Sequence, residues 1–180
     1  MDKQRFDEIS GSFSQKSILV IGDVMLDKFM WGKADRISPE APVPIISVDQ
    51  ISHSPGGAAN VALNLSKLSA NAHILAIVGD DNESKLLEDS LIKDGVKVKF
   101  IKDIKKSTTT KTRIIAHGQQ VVRTDYENKN DITSEQIENI KDALYDLSTE
   151  IDAIIIEDYN KGILVKDCIE TILEMAAKHN

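Results

Sequence analysis

Short, almost continuously apolar runs that close on Gly-Asp recur along this chain and set its plan. SILVIGD (17–23) and HILAIVGD (73–80) carry apolar residues at consecutive positions, as strands buried on both faces of a sheet do. IDAIIIEDY (151–159) reads as a third buried strand. Between these runs the period lengthens to that of helices. Val61, Leu65 and Leu68 follow the glycines of SHSPGGAANVALNLSKL (52–68) at helical spacing, which predicts a helix from Gly57 to near Ala70. Leu87 and Leu91 share one face of a helix over 82–95 that Gly95 stops. Thr133 and Gln136 have capping-box spacing ahead of Ile137, Ile140, Leu144 and Leu147. A last helix turns Val165, Ile169, Ile172 and Leu173 inward, and VKVKF (96–100) alternates as a half-exposed strand should.

Two segments follow another pattern. APVPIISVDQI (41–51) places two prolines before an apolar run, which suits an edge or lid strand. TTTKTRIIAHGQQVVRTDYE (108–127) is rich in β-branched residues and broken at His117-Gly118, as a β-hairpin is. Together they predict a small β layer projecting from the main sheet. The whole reads as an α/β fold, a mostly parallel sheet with helices on both faces plus a β lid. The pattern calls for another strand after AAKHN, so the chain is expected to be the N-terminal part of a longer fold, incomplete at its C-terminus.

Composition narrows the function. A chain of 180 residues can bury one good core. Its net charge of -7 argues against a nucleic-acid-coating protein but leaves room for a small phosphorylated ligand, which needs only a few local cations. The single cysteine, Cys168, rules out an internal disulfide and reads as a small buried hydrophobe. His53, His73, His117 and His179 do not combine with it at metal-ligand spacing, so no metal site is expected within these residues. The first residues lack a signal-peptide core, and no apolar run reaches the roughly 18 residues a membrane span needs. A soluble, cytoplasmic protein is expected.

Neither a P-loop nor a G-x-G-x-x-G fingerprint is present. What remains is a set of polar residues at the carboxyl ends of predicted strands, where open α/β sheets bind ligands. These are Asp23 and Asp27, then Gly56, Gly57 and Asn60, then Asp80 and Asp81, then Asp158 and Lys161. Each has a plainer reading. Asp23 or Asp27 alone suits a turn or cap, and Asp80-Asp81 an N-cap pair. Gly56 and Gly57 could serve only positive φ at a helix entrance. Lys161-Gly162 could be a solvated loop tip.

VIGDVMLD (20–27) and PGGAANVA (55–62), with a lid hairpin before the later strand, resemble the ribokinase-like carbohydrate kinases. RISPEAPVPI (36–45), TKTRIIAHGQQVVRTDYE (110–127) and EDYNKGIL (157–164) are more specific. They resemble the bacterial D-glycero-β-D-manno-heptose 7-phosphate kinases of lipopolysaccharide core synthesis, often one half of a bifunctional kinase/adenylyltransferase. The likeness runs from about Ser17 to the C-terminus.

The resemblance implies ATP-dependent phosphorylation, with Mg²⁺, of the anomeric hydroxyl of a phosphorylated heptose, giving heptose 1,7-bisphosphate. Gly56, Gly57 and Asn60 would hold the sugar, with Asp27 and Asp158 accepting hydrogen bonds from its hydroxyls. Lys111, Arg113, Arg123 and Lys161, and less strongly Arg36, would meet its phosphate. Lys111 and Arg123 suit an ordinary solvated hairpin face equally well. The resemblance also implies homodimerisation through lid strands. The family's base lies in a Gly-Ala-Gly-Asp motif absent from these residues, so the catalytic residue is expected downstream and the chain alone is expected to be inactive. Another ribokinase-like sugar or nucleoside kinase, or a non-catalytic sugar-binding or assembly module, are the alternatives.

Overall fold

The computed structural model describes residues 2–178. In chain order its elements are α1 (Lys3–Gly11), β1 (Ser17–Gly22), β2 (Val24–Ile37), β3 (Pro44–Gly57), α2 (Ala58–Lys67), β4 (Asn71–Gly79) and α3 (Asn82–Lys93). Then come β5 (Lys97–Asp103), β6 (Thr110–Ala116), β7 (Gln119–Tyr126), α4 (Ser134–Leu147), β8 (Ala153–Glu157) and α5 (Lys166–Lys178). A parallel sheet has the order β5-β4-β1-β8, and a second, mixed sheet the order β3-β2-β6-β7.

The parallel sheet is covered on both faces because its central strands are continuously apolar over 18–21 and 74–78. Val20 of β1 and Ile74, Ala76 and Val78 of β4 pack against Leu87 and Leu91 of α3 and Ala58, Ala59 and Ala62 of α2. Three alanines on one helical face let α2 lie close to the sheet. The alternate residues Leu19, Ile21, Leu75 and Ile77 face the other way, onto Ile140, Ala143 and Leu144 of α4 and Cys168 and Ile172 of α5. Thr133 and Gln136 make the expected capping box, and Cys168 is a fully buried apolar filler whose thiol pKa burial raises to about 11.

Two expectations need correction here. The 151–159 run is not a doubly buried strand: β8 is the edge of the sheet, with Ala153 exposed and Ile156 38% exposed. Leu173 is 57% exposed and turns out of α5, while Cys168 points in, since it lies one helical turn before Ile172.

The second sheet forms the lid, and it is larger than the pattern suggested. β2 and β3 are each fourteen residues long and pair antiparallel. The 24–37 strand was not anticipated, and β3 continues through Pro55-Gly56, where the residues suggested a turn. β3 does lie at the sheet edge, and the β6-β7 hairpin turns at His117-Gly118, both with positive φ. The lid is rooted in the main core through Val24 and Leu26, and the Leu26 amide donates to the Thr109 carbonyl at 2.8 Å.

Asp81 ties the lid to the parallel sheet. It is the N-cap of α3, accepting from the Ser84 amide at 2.8 Å, and its other oxygen accepts from the Thr108 amide at 2.8 Å while the Thr108 hydroxyl donates at 2.7 Å. Asp80 is exposed and takes no part in the cap. Burial of Asp81 by itself would raise its pKa, but the bonds from Thr108 and Ser84 outweigh burial and hold it below the usual value of 3.8. A depressed folded pKa means stability that is present above the unfolded value and lost as pH falls through the folded one. Asp81→Ala should cost about 2 kcal/mol at neutral pH through the lost cap and orphaned Thr108 donors. In denaturant melts that deficit should shrink as pH drops below the ordinary carboxylate range; a deficit unchanged at low pH would contradict the assignment.

Candidate functional site

β2 begins one residue after β1 ends, and that residue is Asp23. Its side chain is 1% exposed. Oδ2 accepts from the amides of Tyr159 at 2.9 Å and Lys161 at 3.0 Å, so the loop after β8 is folded around it. Its carbonyl accepts from the Ala58 amide at 3.0 Å, where α2 starts. Oδ1 is buried without a protein partner. Close by, Lys106 donates to the Lys161 carbonyl at 3.2 Å; burial lowers its pKa, opposed by Asp23, Asp103 and Asp131.

From Asp23 the chain enters the lid, and strand register sets out one face of it in rows. Ser54, Asp27, Lys111 and Asp125 are cross-strand neighbours, and the next row is Ser52, Phe29, Arg113 and Arg123. Trp31 follows, stacked on Phe29 at 6.0 Å between centroids and donating to Ser52 Oγ at 3.1 Å. Arg113 Nη1 meets Asp27 Oδ1 at 2.5 Å, and its guanidinium carbon lies 5.3 Å from the Phe29 ring centre. This single, partly buried contact holds Oδ1 of the Asp27 carboxylate and leaves Oδ2 directed toward Gly56.

The glycines have separate jobs. Gly57, the residue before α2, has φ of +59°, and a Cβ there would strike the Asp23 carbonyl. Gly56 is ordinary strand, but a Cβ on it would lie 2.7 Å from Asp27 Oδ2 and 2.8 Å from Met25 Cγ. Close approach to the carboxylate, rather than a turn, explains it.

The expected cations are not free. Lys111 contacts Asp125 at 3.0 Å, and Arg123 holds the same carboxylate through Nε at 2.9 Å and Nη2 at 3.1 Å. The Lys111 bond pulls the Asp125 pKa down; burial opposes it and the Arg123 bond adds to it, for a net lowering. Lys161 lies 2.6 Å from Glu127 Oε2 as an ion pair, with Lys129 on Oε1 at 2.9 Å; these two cations keep the Glu127 pKa low.

The structure therefore brings together Asp27, Gly56, Lys111, Arg113 and Arg123, with Gly57 next in the chain. Lys161 belongs to the neighbouring loop, joined to the end of β7 through Glu127. Asp158 precedes it in that loop, exposed, its Oδ1 accepting from the Asn160 amide at 2.7 Å. Asn60 is exposed in the first turn of α2 and makes no side-chain hydrogen bond among the described residues. Arg36 does not join the group: it is exposed near the far end of β2. Asp27 sits inside a strand, not after one. His179 lies outside the described residues. Sequence reasoning missed Phe29, Trp31, Asp125 and Glu127; the odd-numbered spacing of Asp27, Phe29 and Trp31 was the available signal.

Comparison with known proteins gives the family and the fold. The model of the pfkB family carbohydrate kinases matches residues 15–180. "Bifunctional protein HldE" of Helicobacter pylori is 44% identical over 166 residues, 92% of this chain and 36% of that protein. That of Koribacter versatilis is 41% identical over 171 residues, covering 94% and 35%. The chain thus spans about a third of the length of the curated relatives it matches. In fold it is similar to a carbohydrate kinase from Agrobacterium tumefaciens (TM-score 0.65, 20% identity, 91% of this chain and 51% of that one). It is also similar to a ribokinase from Thermotoga maritima (TM-score 0.52, 15% identity, 78% and 52%). With the family match running from before β1 to the last residue, the chain belongs to the pfkB family of carbohydrate kinases.

Proposed function

We propose that this chain is the sugar-recognising part of a kinase that phosphorylates D-glycero-β-D-manno-heptose 7-phosphate at its anomeric hydroxyl, giving heptose 1,7-bisphosphate. The observation that carries the reading is the lid face, where a hydroxyl-accepting carboxylate and three cations share two adjacent rows. A neutral sugar needs the first and not the second; a phosphorylated one uses both. The similarity to proteins named HldE supports the narrower substrate.

In this reading Asp27 accepts hydrogen bonds from sugar hydroxyls, oriented by Arg113, and Gly56 keeps the space at its free oxygen open. Asn60, Asp158 and the Gly57 backbone complete the sugar rim, and Lys111, Arg113, Arg123 and Lys161 serve the phosphate. The lid shields the sugar from water, so binding orients the reacting hydroxyl. ATP with Mg²⁺ supplies the phosphoryl group when bound. Among the described residues no group of three or more His, Cys, Asp or Glu side chains is placed to hold a metal ion. No phosphate-cradling glycine loop occurs in the sequence either, so no step is assigned to these groups here. By itself the chain is proposed to bind sugar without turnover. Among the described residues no helix is long and apolar enough to cross a membrane.

A second copy of the chain is the proposed partner. The opposite lid face carries Met30, Ile51, Ile114 and Val122 on neighbouring strands, with Ile51 49% and Val122 44% exposed. Apolar exposure on a sheet suits a lid-to-lid contact.

Three outcomes are expected. In thermal-shift titrations heptose 7-phosphate should stabilise the protein more than fructose 6-phosphate or ribose; the reverse order would remove the heptose assignment and favour another sugar kinase. Gly56→Ala should weaken heptose 7-phosphate binding about tenfold or more in calorimetry by displacing the Asp27 carboxylate, while costing only about 1 kcal/mol of stability. Light scattering should show a dimer that Ile51→Asp with Val122→Asp converts to monomer; an unchanged mass would eliminate this interface.

A further inference from the structure

We infer that Asp125 is a built-in counter-ion occupying the anion cradle of Lys111 and Arg123, and that the phosphate of a bound sugar takes its place. The inference rests on the sugar-phosphate reading above and adds to it a mode of entry. Lys111 Nζ, Arg123 Nε and Arg123 Nη2 converge on one carboxylate from two strands, at 2.9 to 3.1 Å. Three charge-assisted donors around one oxyanion group are the recognition chemistry of a phosphate monoester as much as of a carboxylate.

The surroundings distinguish a placeholder from a structural ion pair. Asp125 is on β7, the outer strand of the lid, every residue of which is exposed. Its side chain is 25% exposed, so it can swing to water, and the phosphate that replaces it neutralises Lys111, whose own side chain is 16% exposed. The cradle adjoins Arg113, whose partner Asp27 lies in the row of Lys111. A dianion between Lys111, Arg113 and Arg123 would face three cations and repel Asp125, which has solvent to move into. Asp27 is about as exposed, at 21%, but its Oδ1 is held by Arg113 at 2.5 Å and its Oδ2 lies over Gly56. Exchange at Asp125 therefore leaves the sugar-binding carboxylate in place. The exchange also discriminates: a neutral sugar cannot displace the carboxylate and meets a cradle already filled.

The test is isothermal calorimetry on the full chain with inorganic phosphate and, separately, heptose 7-phosphate. Asp125→Asn removes the internal competitor and should tighten inorganic phosphate binding by about tenfold, roughly the worth of one charge-assisted pair. Adding Arg123→Met to Asp125→Asn should abolish that gain. Asp125→Ser provides the same comparison if the asparagine variant melts early by circular dichroism. Phosphate binding that is unchanged or weaker in both variants would overturn the inference, because Asp125 would then be orienting the cations. Failure of the sugar reading looks different: tighter phosphate binding in Asp125→Asn, with heptose 7-phosphate bound no better than inorganic phosphate by any form.

Discussion

The chain leaves one sheet and enters the other across a single residue, Asp23, and the site depends on that constraint. A buried carboxylate must be satisfied, and the amides of Tyr159 and Lys161 are what satisfy Oδ2. In doing so they draw the loop after β8 to the root of the lid. The same residue's carbonyl receives the first amide of α2, and its own amide donates to the Glu157 carbonyl at 3.1 Å. Strand ends, helix start and lid root are thereby fixed relative to one another before any lid side chain is considered. The Gly57 conformation is a consequence: no side chain fits between β3 and the Asp23 carbonyl.

A second coupling runs in parallel. Glu127, just past β7, holds Lys161 from the loop after β8, and Asp81 holds Thr108, just before β6. The hairpin is thus tied down at both of its ends, and its turn is held to β2, where the His117 amide donates to the Gly32 carbonyl at 3.3 Å and His117 Nε2 accepts from the Ala34 amide at 3.2 Å. Held at its root and along β2, the lid keeps the rows of Asp27 and Phe29 in fixed register.

The parallel sheet and its helices were legible because each signal was local. Consecutive apolar residues gave β1 and β4, and Thr133 with Gln136 gave the start of α4. The long strand β2 was hidden because neither of its faces is uniformly apolar or polar. Asp27, Phe29 and Trp31 alternate with Lys28, Met30 and Gly32, so a period of two carries no hydrophobic contrast. Pro55 and the two glycines mimic turn chemistry, yet Gly56 is needed for the approach of Asp27. Individual candidates such as Asp27 and Arg113 stood out in the sequence, but their pairing did not. Arg113 meets Asp27 across 86 positions and Lys161 meets Glu127 through a tertiary contact, and strand register alone decides such partners.

Those pairings also resolve an apparent conflict in charge. In the proposed reading a chain of net charge -7 repels its sugar phosphate at long range, although salt limits that field to about 8 Å at physiological ionic strength. Attraction must come from contact, with few cations in fixed positions. Unpaired arginines and lysines on one lid face would repel each other and lose side-chain freedom on every binding event. Interleaving Asp27 and Asp125 among them keeps the cations ordered and in register without a ligand. What is surrendered in raw electrostatic pull is recovered in preorganisation. The proposed exchange at Asp125 would add selectivity, since only a ligand with more anionic charge than a carboxylate competes well for the same donors.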